Sequence, residues 1–225
     1  MRTTIAGGRE YTTELISRRR LSANTFELEL TRPRGFDFFP GQRIRLVHQG
    51  IERDYSLISA PGDPVLALCV RKVEGGEMSP LLASAALGSS FHFSGPHGYF
   101  TFRPSPRPAV LVATGIGIAP FVSMARSGMM TSIMLHGVRT PSELYYEWLF
   151  RGAAKRYVPC LSGIAAEAGL PHGAFRGRVT EYLKSHLEPG GYDFYLCGRS
   201  EMVRDVIFLV DELFTGSLVY TEIFH

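Results

Sequence analysis

Residues 109–126 read AVLVATGIGIAPFVSMAR, an apolar run that passes through two glycines into a helix-like run. Ala109–Ala113 reads as a strand and Ile118–Arg126 as a helix, with Thr114, Gly115, Gly117 and Pro120 at the join. Pro120 suits the first helical turn, where its missing N–H costs nothing. At such a junction backbone amides and the helix dipole face an anionic phosphate, and glycines let a ligand approach closely. A glycine pair alone also fits a tight turn. Its place at the first strand–helix junction of a repeating pattern favours nucleotide binding.

That pattern continues towards the C-terminus. Ser132–Val138, Tyr157–Leu161, Phe194–Cys197 and Leu218–Thr221 are apolar runs of strand length, and Ser142–Phe150, Val179–Leu187 and Glu201–Leu213 read as the helices between them. Alternating strands and helices predict a parallel sheet with helices on both faces. Towards the N-terminus the stretch RPSPRP, Arg103–Pro108, marks a linker, because each proline removes a donor and biases its neighbour to extended backbone. Before it the chain reads as short strands: Thr12–Arg20, Thr25–Leu30, Arg43–Val47, Arg53–Ser59 and Leu66–Val73, separated by Gly- and Pro-rich turns. One helix-like piece, Ser79–Ala86, interrupts them. The expectation is two domains, an antiparallel β-barrel over residues 1–103 and an α/β domain with a parallel sheet over 108–225.

Composition narrows the function classes. Of 225 residues, 45% are hydrophobic and 20% charged, enough apolar content for buried cores and too much for a disordered chain. A membrane span needs about 20 apolar residues in a row, and Ala109–Val122 is shorter and broken by Gly115, Gly117 and Pro120. A net charge of +3, with no basic block longer than Arg18-Arg19-Arg20, argues against nucleic acid. Cys69, Cys160 and Cys197 stand too far apart for a disulfide framework or an iron–sulfur or zinc ligand set. The expectation is a soluble cytoplasmic protein without a metal.

Two further stretches carry chemistry. Arg53-Asp54-Tyr55-Ser56 places a cation, an aromatic ring and a hydroxyl in one strand of the first domain. Cys69-Val70-Arg71 leads through Lys72 to Gly75, Gly76, Met78 and Ser79, so two cations precede a glycine-bearing helix start. Taken separately, each also fits an ordinary exposed strand and a capped hairpin. Together they make an anion site beside an aromatic and a hydroxyl.

With these motifs in hand, the chain resembles the ferredoxin–NADP reductase superfamily over nearly its full length and in the family's order. Arg53–Ser56 resembles its Arg-x-Tyr-Ser flavin motif, and Gly76–Ser79 its Gly-x-x-Ser helix start. Gly95–Phe100 resembles the close of the flavin barrel, and Ala113–Pro120 the pyrophosphate loop. Cys197-Gly198 and Glu222-Ile223-Phe224 resemble the family's Cys-Gly and C-terminal Glu-x-aromatic. The resemblance implies FAD, with Tyr55 on the isoalloxazine, Arg53 and Ser79 on the pyrophosphate, and Ser56 at the hydride-accepting nitrogen. It implies Cys197 and Glu222 beside the reacting nicotinamide and Phe224 over the flavin face.

For the nucleotide, Arg139 and Arg178 match arginines that read a 2′-phosphate, so NADP(H) is expected, with NAD(H) as the alternative. Three positions depart from the family pattern: Gly163 stands where relatives carry an arginine, Ile116 where a threonine is common, and His225 follows the aromatic. The activity implied is hydride exchange between NADP(H) and FAD, with one-electron transfer to or from a separate ferredoxin or flavodoxin. The alternatives are a flavin or quinone reductase and an NADH-dependent oxygenase reductase component. The remaining expectations are a monomer with no nucleic-acid or membrane partner.

Overall fold

A computed structural model describes residues 9–223. The chain divides into two compact units, one ending at Thr101 and the other beginning at Phe102.

The first unit holds β1 (Glu10–Arg20), β2 (Thr25–Thr31), β3 (Arg43–His48), β4 (Ile51–Ser56), β5 (Val65–Arg71), the short helix α1 (Met78–Ser84) and β6 (Ser90–His97). The six strands pair antiparallel in the order β4-β3-β6-β1-β2-β5. Just beyond β4, Leu57 bridges Leu68 of β5, and the Ile58 N–H donates to the Ala67 carbonyl at 2.8 Å. The two edges of the sheet therefore meet, and the unit is a barrel. Alternation fills it: Leu28 and Leu30, Ile44 and Leu46, Leu66 and Leu68, and Phe91 and Phe93 are all buried. Each such side chain contributes about 1.5–3 kcal/mol relative to exposure. Tyr11 stacks on Phe93 at 5.2 Å, and Phe36 meets both edge-on at 5.1 Å.

β6 lies outside the runs read as strands from the sequence. Its Phe91 and Phe93 alternate with polar residues as a strand's should, but Gly95 and Pro96 give its end the composition of a turn. It is nonetheless central, paired with both β1 and β3.

The second unit holds β7 (Ala109–Thr114), α2 (Ala119–Arg126), β8 (Thr131–Val138), α3 (Glu147–Ala153), β9 (Ala154–Leu161), β10 (Phe175–Arg176), α4 (Val179–His186), β11 (Asp193–Gly198), α5 (Ser200–Leu213) and β12 (Leu218–Ile223). All pairings are parallel, in the order β10-β9-β8-β7-β11-β12. Val110, Val112, Leu135 and Leu196 face α4 and α5, where Leu183, Val203 and Val206 cover them. On the opposite face Phe150 of α3 stacks on Tyr157 of β9. The expected parallel sheet with helices on both faces is present.

The expected helix over Ser142–Phe150 is not continuous. A single 3-10 turn covers Pro141–Glu143, Tyr146 takes a left-handed conformation (φ 59°), and only then does α3 begin. The Glu143 carboxylate caps the start of the turn by accepting the N–H groups of Arg139 and Thr140. Among the described residues, no helix is long and apolar enough to cross a membrane.

Candidate functional site

In the barrel, β4 carries Arg53, Tyr55 and Ser56, and its position is fixed by Asp54. The Asp54 carboxylate accepts from Arg45 Nε at 2.6 Å and from Arg43 Nε at 3.0 Å, both on the neighbouring β3. Burial pushes this carboxyl up, but the Arg45 and Arg43 hydrogen bonds outweigh it and hold the group below its usual range. Burial also pushes the Tyr55 phenol up to about 12, so it is a neutral ring and a fit surface for a planar partner. Arg53 is exposed; its guanidinium donates to the Glu52 carbonyl at 2.7 Å and lies 3.5 Å from Glu77.

Ser56 is 3% exposed, and among the described residues its Oγ meets no hydrogen-bond partner. A buried hydroxyl left so costs about 1–3 kcal/mol. A flavin nitrogen would satisfy it, and this fit favours the FAD assignment.

Cys69 and Val70 are buried at the end of β5, and Arg71 is exposed there. Gly75 has φ 72°, a value only glycine adopts readily, and the chain then turns into α1. The Ser79 hydroxyl accepts the Val73 N–H at 3.1 Å, closing the loop from below, while Met78 is buried under it. This loop brings Gly75, Gly76 and Ser79 together, and the Glu77 ion pair ties it to Arg53 of β4.

In the second unit the strand order reverses between β7 and β11, and the loops after these strands meet at their carboxyl ends. Open parallel sheets bind ligands at such a point. Gly115 (φ 54°) begins a 3-10 turn over Gly115–Ile118 that runs into α2, with Pro120 in its first turn. The two loops cross closely. A Cβ on Gly117 would stand 2.7 Å from Gly198 Cα, and one on Gly198 would stand 3.0 Å from the Thr114 amide. The Thr114 hydroxyl accepts the Arg199 N–H at 3.1 Å, joining the loops across the reversal.

Cys197 is fully buried at the end of β11, in register with Glu222 of β12, which is 9% exposed. Burial and the neighbouring Glu222 raise its thiol well above the ordinary range, so it is no nucleophile. It can serve as a compact, neutral packing surface.

A family model described as an oxidoreductase FAD-binding domain matches residues 12–102, and one described as an oxidoreductase NAD-binding domain matches 111–207. Ferredoxin–NADP reductase B of Sorangium cellulosum is 34% identical over 91% of this chain and 91% of its own length. The chain belongs to the ferredoxin–NADP reductase superfamily.

Other relatives and solved structures are similar too, some of them over only part of their length. The toluate 1,2-dioxygenase electron transfer component of Pseudomonas putida is 35% identical over 75% of this chain, which spans only 53% of that protein. The Amycolatopsis cytochrome P450 reductase GcoB shares the fold with a TM-score of 0.83 and 26% identity, over 96% of this chain and 70% of its own. A ferredoxin NADP+ reductase from Neisseria gonorrhoeae, solved with FAD and NADP, has a TM-score of 0.81 and 24% identity, over 96% of this chain and 99% of its own.

In the second unit, Arg139 and Arg178 are both exposed just past the ends of β8 and β10, at the same end of the sheet as the Gly115 loop. They flank β9, two strand spacings or about 10 Å apart. Gly163 lies between them, and its departure from the family pattern has a physical cause. Its N–H donates to the Arg139 carbonyl at 2.9 Å, and a Cβ there would stand 2.8 Å from that oxygen. Phe224 lies outside the described residues.

Two residues not singled out in the sequence bear on these candidate sites. Glu77 is the acidic partner of Arg53, and its only signal was its place inside the loop motif. His136, fully buried on β8, touches the Gly115–Ile118 turn itself, and an isolated histidine in an apolar run gives no sign of that.

Proposed function

We propose that this reductase is an FAD-dependent NAD(P)H oxidoreductase, with NADP(H) preferred and a separate ferredoxin or flavodoxin as electron partner. Residues 1–103 would hold FAD and 108–225 the nucleotide. FAD, when bound, supplies hydride exchange with the nicotinamide and release of electrons one at a time. The observation that carries the reading is the buried Ser56 hydroxyl, unpartnered among the described residues, three residues after an arginine and next to an aromatic ring.

Each residue then has a definable task. Tyr55 offers its neutral ring as a stacking surface, and Arg53, with the Gly75–Ser79 loop, holds the pyrophosphate. Ser56 holds a hydrogen bond at the flavin ring. Arg139 and Arg178 attract the 2′-phosphate, and Cys197 and Glu222 line the end of the nucleotide-binding sheet. Three buried cysteines outside any disulfide fit a reducing, cytoplasmic setting, and a net charge of +3 suits an encounter with an acidic carrier. We take the chain to act as a monomer.

Anaerobic titration of the FAD-loaded protein tests the reading. The visible flavin absorbance should bleach with NADPH at lower concentration than with NADH. In Ser56→Ala the bleaching rate should fall roughly tenfold or more, as for loss of one transition-state hydrogen-bond donor. A protein that stays colourless after incubation with FAD would overturn the assignment. Similarity to the toluate dioxygenase component supports a second reading, an oxygenase reductase, and bleaching by NADH alone would select it.

A further inference from the structure

We propose that His136 is a positioning residue for the pyrophosphate of the pyridine nucleotide: by holding the Gly115 carbonyl inward, it aims the Ile116 amide outward at the phosphate. The inference rests on the reading that the Gly115–Ile118 turn takes the nucleotide.

The geometry begins with His136 Nε2, which lies 3.0 Å from the Gly115 carbonyl oxygen. A carbonyl can only accept, so Nε2 carries the proton and donates. Nδ1 is then an acceptor, and the Tyr157 hydroxyl stands 3.4 Å from it as the available donor. One neutral tautomer satisfies both contacts, and the other would set two acceptors face to face. The ring is 0% exposed, and burial holds the imidazole well below its usual range, at about 4, so the neutral form persists. Tyr157 is itself fixed, stacked on Phe150 of α3 with Arg151 over its ring. Three elements thus converge on one carbonyl: β8 supplies the histidine, β9 the tyrosine and α3 the packing that locks it.

A trans peptide is planar, with its C=O and N–H pointing in opposite directions. With the Gly115 carbonyl drawn towards β8, the Ile116 N–H must point away from the sheet core. Gly115 in the left-handed region, followed by the right-handed 3-10 turn, makes adjacent amides converge as an anion-binding nest. The first N–H groups of such a turn have no partner within it. Ile116 also lacks the hydroxyl that a threonine would add, so this loop depends on backbone donors and on whatever orients them.

The test uses the FAD-loaded full chain and measures the Kd and KM of NADP(H) and NAD(H) for His136→Leu, His136→Gln and Tyr157→Phe. The glutamine amide nitrogen reaches about where Nε2 stands, so it restores the donor without the ring. For His136→Leu, Kd should rise about tenfold, the scale of one lost hydrogen bond. The factor should be the same for both nucleotides, because the pyrophosphate is common to them, and the loss should fall mainly on KM. His136→Gln should recover to within about threefold of the parent chain, and Tyr157→Phe should shift Kd in the same direction by a smaller factor. FAD content should stay constant throughout.

Unchanged affinity in His136→Leu, or a change confined to NADP(H), would overturn the role of His136 while leaving the loop assignment standing. Should the leucine variant not fold, Tyr157→Phe decides, and an unchanged Kd there would overturn the inference equally. A parent chain that binds neither nucleotide would overturn the loop reading, and this inference with it.

Discussion

Two side chains in this protein show what burial does to a polar group, with opposite outcomes. Ser56 loses water and gains no partner from the described residues, a cost that a bound ligand can remove. His136 loses water but gains two partners, provided it stays neutral. Stability should therefore depend on pH through His136. In the unfolded chain its imidazole protonates near about 6.5, whereas in the fold burial holds it at about 4. Between these values the unfolded state binds the proton and the folded state does not, so stability is present above the unfolded value and is lost as pH falls towards the folded one. The full span corresponds to about 3 kcal/mol. Denaturant melts at pH 7 and pH 4.5 should show this loss, and His136→Gln should show less of it. A loss of equal size in both proteins would place the effect in other groups. The histidine's behaviour is not legible in the sequence, because SIMLHGVR shows a histidine but not the carbonyl that it meets from the turn after β7.

At the scale of elements, what the sequence made legible was periodicity, and what it concealed was tertiary override. The runs at Ala109–Ala113, Phe194–Cys197 and Val179–Leu187 match β7, β11 and α4 to within a residue or two, since apolar burial on a parallel sheet writes directly into composition. β6 was hidden by the glycine and proline at its end. β10 was hidden because two residues, Phe175 and Arg176, give no period to read. The helix read over Ser142–Phe150 failed at Tyr146, where the backbone turns left-handed, a conformation that a tyrosine does not announce.

The motif at 113–120 revealed that glycines were needed but not which contact needs each. For Gly117 it is the backbone of the β11 loop, reached at 2.7 Å by any Cβ. Gly117→Ala must therefore push the two loop crossings apart. Nucleotide affinity should fall by at least about tenfold, with a stability loss of about 1–3 kcal/mol from overpacking. Isothermal titration with NADP+ and a thermal melt would measure both, and an alanine variant that binds normally would show that the loops yield without cost.

Across the whole molecule, two units with separate cores should answer to separate ligands. A ligand stabilises what it binds by RT ln(1 + [L]/Kd), about 2.7 kcal/mol at a hundredfold excess over Kd. Hydrogen exchange should show FAD slowing amides in β3, β4 and the Gly75–Ser79 loop. NADP+ should slow those of the Gly115–Ile118 turn and the start of α2. If FAD instead protected the Gly115 turn and left β4 unchanged, the division of cofactors between the units would be wrong. The two-domain plan itself was legible from the change in pattern around the proline-rich stretch. The Arg107–Asp193 pair, 2.5 Å long with Asp193 fully buried, was not, because 86 residues separate its partners.

The glycine wedged beneath the Arg139 carbonyl has an evolutionary corollary. Codon change alone can delete either flanking arginine in one step, but it cannot install a third cation at position 163 without first re-laying the ends of β8 and β9. Where Arg139 and Arg178 hold a phosphorylated ribose as proposed, descendants of this sequence can thus drift away from that ligand far more easily than they can deepen their grip on it. A protein engineer starting from this scaffold inherits the same one-way gradient.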